Sequence, residues 1–254
     1  MMEVSVHTFA NLEELSHAAA ARFVERCPER AEKGSVFAAA LSGGSTPRRL
    51  YELLGEPRFS PRMAWDRVHL FQVDERCVPP DHAESNYRMI RESLLDRVGI
   101  PSANVHRIQA ELPDPENAAE LYTRELGRVL RPPRGELPRL DLVFLGMGPD
   151  GHTASLFPGS SALAERAKWV SANFVEKLRA NRITLTYPVL NAAREIIFLV
   201  AGEEKAETLR RVLEGPQEPE RLPAQGIRPV DGRLEWFLDT AAAARLKLRA
   251  GSSG

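Results

Sequence analysis

The sequence has few cysteines, no excess of charge of either sign and no long apolar run. Cys27 and Cys77 lie far apart and outside any C-x-x-C pair, which argues against a disulfide framework or a structural zinc site and suits a reducing cytoplasm. Lysine and arginine number 34 against 35 aspartate and glutamate, so the basic excess of a nucleic-acid or anionic-membrane binder is missing. The apolar run EIIFLVAG is far shorter than a membrane span, and the N-terminal stretch lacks the apolar segment of a signal peptide. We therefore expect a cytoplasmic protein that binds neither nucleic acid nor membrane.

Strand-like and helix-like segments alternate along the chain. Short apolar runs predict strands at 3–9, 35–43, 68–75, 140–148, 168–174, 182–188, 195–202 and 233–239. Helical patterns, with caps at Asn11, Thr46 and Ser85, predict helices that include 46–55, 85–99, 115–130 and 203–215. This alternation is typical of an α/β fold with a single doubly wound, mostly parallel sheet and helices on both faces. We expect one domain over 1–250, followed by a short tail at 251–254.

The first unusual strand end carries the segment LSGGSTP. In doubly wound sheets ligands bind at the carboxyl ends of the strands. Gly43 and Gly44 allow a tight turn, and Ser45, Thr46 and the helix N-terminus offer donors to an anion. The segment is neither a Walker A loop nor a nucleophile elbow, because no G-K-[ST] follows and Pro47 stands where the elbow needs glycine. The segment is therefore interpreted either as an anion site or as an ordinary turn between strand and helix.

Charged residues mark two further positions. The three adjacent charges at 74–76 directly follow an apolar strand, where they are costly unless paired or exposed at a site. A local ion-pair cluster is therefore the alternative to a functional role. Lys177, Arg179 and Arg182 crowd the approach to another strand. A solvated basic loop is the reading we favour for Arg179, whereas Lys177 and Arg182 suit a phosphate clamp.

The segment GMGPDGH, after the most apolar strand, fits the dinucleotide fingerprint G-x-G-x-x-G through Gly146, Gly148 and Gly151. That fingerprint needs a long helix after its third glycine, but Pro158 follows too soon for one. It also needs an acidic residue at the end of the next strand, and Glu165 precedes that strand instead. We therefore predict that the glycines form a sharp loop rather than a nicotinamide site.

The same loop presents Asp150 and His152 at the predicted sheet edge. A neutral imidazole at pH 7 can act as a general base, and a carboxylate two residues away can orient the ring or hold a water. Ser155 has no base at a recognisable spacing, so we treat it as an accessory residue. The other histidines form no metal-ligand pair.

Four segments carry a resemblance over nearly the whole chain. They read LSGGSTPRRLYELL, VDERCVPPDHAESNYRMI, DLVFLGMGPDGHTASLFPGS and RITLTYPVLNAAREIIFLVAGEEKAETL, and the match runs in order from about residue 5 to 245. Together they resemble the 6-phosphogluconolactonases, which are related in fold to the glucosamine-6-phosphate isomerases and deaminases. The resemblance implies hydrolysis of 6-phospho-D-glucono-1,5-lactone, the second step of the oxidative pentose phosphate pathway, without metal or organic cofactor.

The resemblance also implies roles for individual residues. His152 falls on the general base, and charged active-site positions fall on Asp74, Arg76, Asp150, Lys177 and Arg182. We assign catalysis to His152, Asp150 and Asp74, and binding of substrate or its phosphate to Gly43, Gly44, Ser45, Thr46, Arg76, Lys177 and Arg182. The family segment often reads K-P-P-x-x-R, whereas here the prolines are absent. Which of Lys177, Arg179 and Arg182 meets the phosphate therefore stays open, as does a catalytic or structural role for Asp74.

Two other functions compete with the lactonase. The related isomerases carry a glutamate in GHIAFNEP, where this chain has Phe157 in GHTASLFP, so the carboxylate for sugar ring opening is missing. A non-catalytic sugar-phosphate sensor is the other alternative, but such proteins usually have a DNA-binding segment or have lost the base. A monomer and a weak homo-oligomer both remain possible.

Overall fold

Ten strands and six α-helices make up the part of the chain that the computed structural model describes, residues 3–31 and 36–247. The strands are β1 Glu3–Phe9, β2 Phe37–Leu41, β3 Val68–Gln72, β4 Asp74–Arg76, β5 Val105–His106, β6 Leu142–Gly146, β7 Val170–Val175, β8 Ala180–Leu185, β9 Glu195–Val200 and β10 Arg233–Asp239. The helices are α1 Leu12–Ala31, α2 Ser45–Leu54, α3 Asn86–Ser93, α4 Pro115–Leu130, α5 Tyr187–Asn191 and α6 Ala206–Glu214. The predicted tail at 251–254 lies outside the described residues.

The main sheet has seven strands in the order β1-β10-β9-β6-β2-β3-β5, and every pair is parallel. Neighbouring residues of its central strands pack into two different apolar cores. Ala39 and Leu41 of β2 join residues of α1, α2 and α3, whereas Ala38 and Ala40 join residues of α4, α5 and α6. Because successive side chains of a strand point to opposite faces, helices cover both faces. The predicted fold class is confirmed.

Three strands lie outside the main sheet, in a small antiparallel sheet of order β4-β8-β7. The predicted strand 68–75 is wrong as one element, because it divides at Val73. The N–H of Val73 donates to the carbonyl of Leu41 in the main sheet, while its own carbonyl accepts from the N–H of Leu185. Val73 thus carries the chain from one sheet into the other.

The predicted start of α3 is correct, whereas the predicted end of α3 and the predicted start of α2 are not. Ser85 caps α3 by accepting from the N–H of Arg88, as predicted, although the α-helix ends at Ser93 rather than residue 99. The predicted cap at Thr46 is wrong, because Gly44, with φ of 103°, turns the chain so that Ser45 is already helical. Within residues 3–31 and 36–247, no helix is both long and apolar enough to span a bilayer.

Candidate active site

A cavity of about 250 Å³ opens at the carboxyl ends of the neighbouring strands β9, β6, β2 and β3. Its wall contains most of the residues predicted from sequence, which are Gly43, Gly44, Ser45, Thr46, Asp74, Arg76 and His152. Among its other wall residues is one further cation, Lys205. Across the described ranges, no group of three or more His, Cys, Asp or Glu residues is arranged as metal ligands. The cavity therefore brings a base, a carboxylate, cations and a helix N-terminus to one place.

His152 is held from two directions. Its Nδ1 lies 2.5 Å from Oδ1 of Asp150, and its ring stacks on Phe157 with centroids 4.1 Å apart. A proton on Nδ1, assigned from this hydrogen bond, leaves the lone pair of Nε2 available when the ring is neutral. The side chain is about a quarter exposed, so His152 is both fixed and accessible.

Asp150 links His152 to a lysine on the small sheet. Burial raises the pKa of its carboxyl group, but the hydrogen bond and charge of His152, and Lys177 Nζ 3.1 Å from Oδ2, outweigh that effect. The pKa of Asp150 therefore lies below its ordinary value, and the group is a carboxylate at neutral pH. A carboxylate at this position can orient the imidazole and would stabilise positive charge on the ring.

The glycine-rich loop serves His152. A Cβ atom added at Gly148 would lie 2.1 Å from Cε1 and 2.2 Å from Nδ1 of His152, so only glycine leaves room for the ring. The next helical segment, the short 3₁₀ turn Ser161–Ala164, begins well past the loop. The prediction that no long helix follows these glycines is confirmed, and the loop presents Asp150 and His152 as expected.

Asp74 is buried at the cavity wall by neighbours on two elements. Its Oδ2 accepts a 2.6 Å hydrogen bond from Oγ of Ser155, and Oδ1 lies 3.4 Å from Nδ2 of Asn86. The Asn86 amide also donates to the main-chain carbonyl of Asp74 at 2.9 Å. The same amide fills the space beside Gly43, where a Cβ would lie only 1.7 Å from Oδ1 of Asn86. The loop that contains Gly43 and Gly44 and the residue Asp74 therefore both pack against the side chain of Asn86.

The three cations predicted for the phosphate occupy different positions. Arg76 lines the cavity and lies opposite Arg182 in the antiparallel pair of β4 and β8. Burial lowers the pKa of Arg182, and the neighbouring charge of Arg76 lowers it further. Lys177 is mostly exposed and paired with Asp150, and Arg179 is the left-handed residue that ends the turn Glu176–Leu178. Among the described residues, the walls of this cavity include neither Lys177 nor Arg182.

Comparison with known proteins assigns the chain and its fold to one family. The family described as glucosamine-6-phosphate isomerases/6-phosphogluconolactonase matches residues 10–236. The chain belongs to this family. It is 46% identical to the 6-phosphogluconolactonase of Homo sapiens over 209 residues, covering 82% of this chain and 80% of that protein. It is 42% identical to that of Nostoc sp. over 212 residues, covering 84% and 85%.

A solved structure extends the comparison to three dimensions. The crystal structure of 6-phosphogluconolactonase from Thermotoga maritima superposes with a TM-score of 0.79 at 32% identity, covering 93% of this chain and 100% of that chain. The resemblance inferred from the four sequence segments is thus confirmed at the level of family and fold.

In this member of the family, Glu75 has a structural position. Its buried carboxylate accepts hydrogen bonds from two side chains and three main-chain N–H groups, those of Gln72, Ser85, Arg76, Asn86 and Tyr87. Two of the N–H groups belong to the first turn of α3, where helices leave their donors unpaired. The charge cluster at 74–76 is therefore not a simple ion-pair cluster, because its central residue organises the turn into α3.

Lys205 is a charged cavity residue that the sequence analysis did not predict. Its Nζ lies 3.5 Å from Oγ1 of Thr46, beside the N-terminus of α2. Burial lowers the pKa of Lys205, although the carboxylates of Glu204 and Asp239 oppose this effect. Its position after a strand could have identified it, because Lys205 follows β9 just as the other site residues follow β2, β3 and β6. It was hidden because 203–215 was predicted as one uninterrupted helix, whereas Glu203–Lys205 forms a separate turn.

Proposed function

We propose that the protein hydrolyses 6-phospho-D-glucono-1,5-lactone to 6-phospho-D-gluconate in the cytoplasm. The observation that carries this proposal is the accessible His152, fixed by Asp150, in the same cavity as Arg76, Lys205 and the N-terminus of α2. A base beside a set of anion-binding groups suits water attack on a phosphorylated ester. The human, Nostoc and Thermotoga relatives are 6-phosphogluconolactonases, which supports the same substrate.

In the proposed reaction, Nε2 of His152 takes a proton from a water molecule as the water oxygen attacks the lactone carbonyl. The carbonyl becomes a tetrahedral oxyanion, which accepts hydrogen bonds from N–H groups near Gly43 and Gly44. Collapse of the intermediate breaks the bond from this carbon to the ring oxygen, and the imidazolium returns its proton to that oxygen. General base catalysis of this kind contributes about 10²–10⁴-fold, which is useful for an ester that already hydrolyses slowly unaided.

The phosphate dianion is proposed to bind where helix α2, Lys205 and Arg76 face the cavity, with Arg182 on the strand next to Arg76. The N–H groups at the start of α2, with Ser45 and Thr46, form an anion site, and Lys205 lies beside them. Arg76 and Arg182 lie directly opposite each other on neighbouring strands, an arrangement of like charges that an anion would relieve. Binding the phosphate at a distance from the reacting carbon fixes the lactone for attack.

Phe157 favours this reaction over amino-sugar isomerisation. It occupies the position of the isomerases' extra glutamate and stacks on His152 instead of supplying a carboxylate. A proton shuttle at that position is therefore not available from residue 157.

The test of the function is hydrolysis of freshly generated lactone, coupled to NADP-dependent 6-phosphogluconate dehydrogenase. We expect a rate well above the spontaneous background, and a fall of about 10²–10⁴-fold in His152→Ala. The matched control is His17→Ala, since His17 is a half-buried surface histidine on α1, paired with Glu13 and outside the cavity wall. A wild-type rate equal to background would refute the lactonase, and ammonia release from glucosamine 6-phosphate would then test the isomerase.

The cations are distinguished by a second substrate that lacks the phosphate, glucono-1,5-lactone. A residue that binds phosphate should affect only the phosphorylated substrate, whereas one that stabilises the oxyanion should affect both. We expect Lys205→Met and Arg182→Met to raise KM for the phosphorylated lactone about 10-fold or more, with little change for the other. Equal losses on the two substrates would remove the residue concerned from the phosphate site.

A further inference from the structure

We propose that Ser155 is a positioning residue that holds the carboxylate of Asp74 in its working orientation. The inference rests on the proposed function, because it concerns the same site. From sequence alone Ser155 was an accessory residue without a partner. The structure gives it one, since its Oγ donates to Oδ2 of Asp74 at 2.6 Å.

The hydrogen bond between Ser155 and Asp74 is buried, and it is shorter than the side-chain contact between Asp74 and Asn86. Ser155 is 1% exposed and Asp74 is 7% exposed. A hydrogen bond from a hydroxyl to a carboxylate is among the stronger ones at this length, and shielding from water strengthens it. The side-chain contact of the other oxygen, Oδ1, is a longer one, with Nδ2 of Asn86 at 3.4 Å. Ser155 therefore fixes Oδ2 of Asp74, and because a carboxylate is planar this also sets the direction of Oδ1.

Ser155 is itself held at both ends of its main chain. Its N–H donates to Oγ1 of Thr184 at 3.2 Å, and its carbonyl accepts from Nδ2 of Asn173 at 2.8 Å. Both partners are fully buried, on β8 and β7 respectively. Two buried side chains thus fix the main chain of this one loop residue.

The small antiparallel sheet explains how these groups meet. Asp74 on β4 is the direct register partner of Thr184 on β8, and Ser171 on β7 is in turn the partner of Thr184. The sheet that carries Asp74 therefore also carries the two side chains that hold Ser155. At the preceding position, Ala154 has φ of 51°, a conformation unusual for a residue with a Cβ, and the chain turns there just before Ser155.

Loss of the Ser155 hydroxyl should release Asp74 toward nearby cations. Arg76 adjoins it in sequence, and the charge of Asp74 already acts on Arg182. We expect Ser155→Ala to lower kcat on the lactone on the order of 10-fold, as loss of one hydrogen bond to a charged group would, with a smaller change in KM. Ser16→Ala is the control, because Ser16 is equally buried and its Oγ makes one 2.7 Å bond to the carbonyl of Leu12 on α1.

A double-mutant cycle separates positioning from general damage. If Ser155 acts through Asp74, then adding Ser155→Ala to Asp74→Asn should cost almost nothing more than Asp74→Asn alone. If Ser155 merely supports the fold, the two losses should add. Ser155→Cys keeps the size of the side chain with a weaker donor, so it should fall between wild type and Ser155→Ala, and it serves if the alanine variant fails to fold.

The outcomes of the cycle are distinct from failure of the function itself. An inactive wild type would overturn the lactonase proposal. An active wild type with an unimpaired Ser155→Ala, or with additive losses in the cycle, would overturn the role of Ser155 alone. Non-additive losses with normal Ser16→Ala would support it.

Discussion

Replacing Glu75 by glutamine would disturb the turn that leads from β4 into α3. The substitution keeps the size of the side chain and changes one oxygen into an NH2 group. Oε1 accepts two main-chain N–H groups, at 2.8 and 2.7 Å, and Oε2 accepts three donors at 2.8, 2.8 and 3.1 Å. Four of the five partners can only donate to it, and the hydroxyl of Ser85 is the one that can also accept, so at either position the new NH2 group faces at least two donors.

The expected cost follows from counting the groups that lose a partner. In either orientation of the amide, at least two buried donors lose their acceptor and face another donor. Each buried donor left without a partner costs about 1–3 kcal/mol. We therefore expect Glu75→Gln to lower the free energy of unfolding by about 2–6 kcal/mol, a large part of the roughly 5–15 kcal/mol of an ordinary domain.

Urea unfolding at pH 7 measures this loss directly. The control is Glu92→Gln, since Glu92 on α3 is exposed and paired with Arg88, and exposed pairs contribute less than about 1 kcal/mol. A loss below about 1 kcal/mol in Glu75→Gln, with an unchanged urea dependence, would refute the view that this carboxylate organises the turn.

Two further predictions concern the base and an unrelated histidine pair. Gly148→Ala should displace the ring of His152 and lower kcat on the order of 10²-fold, as measured in the coupled assay, whereas Gly99→Ala, with open space around its Cβ, should not. Burial lowers the pKa of both His69 and His106, which are joined by a 2.8 Å hydrogen bond. The unfolded chain therefore binds protons more tightly, so stability that is present above about pH 6.5 should fall as the pH is lowered toward 5. Urea unfolding at several pH values checks this, and a drop that His69→Gln leaves unchanged would contradict it.

Elements set by local signals could be predicted to the residue. Helix α4 begins and ends at 115–130 as predicted, because Asp114 caps it and Pro115 suits a first turn. Strands β1 and β10 likewise match their predicted bounds. In each case the information lies in adjacent residues, so no distant contact was needed.

The division into two sheets could not be predicted in the same way. Val73 reads as the middle of one apolar strand, yet its two main-chain groups bond to different sheets. Its partners, Leu41 and Leu185, are distant in sequence, and nothing in the local pattern distinguishes them. The rule that sites gather at strand ends still predicted most of the cavity, because it depends on the fold class rather than on exact pairing.

The strand-end rule did not find Lys205, because this residue was assigned to the following helix. It also gave no role to Ser155, whose hydrogen-bond partner Asp74 is distant in sequence. Ser155 contacts Asp74 over 81 positions of sequence, and only the small sheet brings them together. A hydroxyl next to a catalytic loop is common, so the serine alone carried no signal of its role.

The glycine pattern at 146–151 shows why spacing alone does not identify a ligand. A pyrophosphate needs the positive end of a helix directly after the glycines. Here the helix N-terminus that faces the cavity belongs to α2, after a different loop, while Gly148 makes room for an imidazole. This division has a chemical consequence. In the proposed reaction, the end of α2 that binds the anion lies on a separate element from the base, and His152 has the carboxylate of Asp150 beside it, which would stabilise positive charge on the ring as it accepts a proton. A helix N-terminus in place of Asp150 would oppose that step.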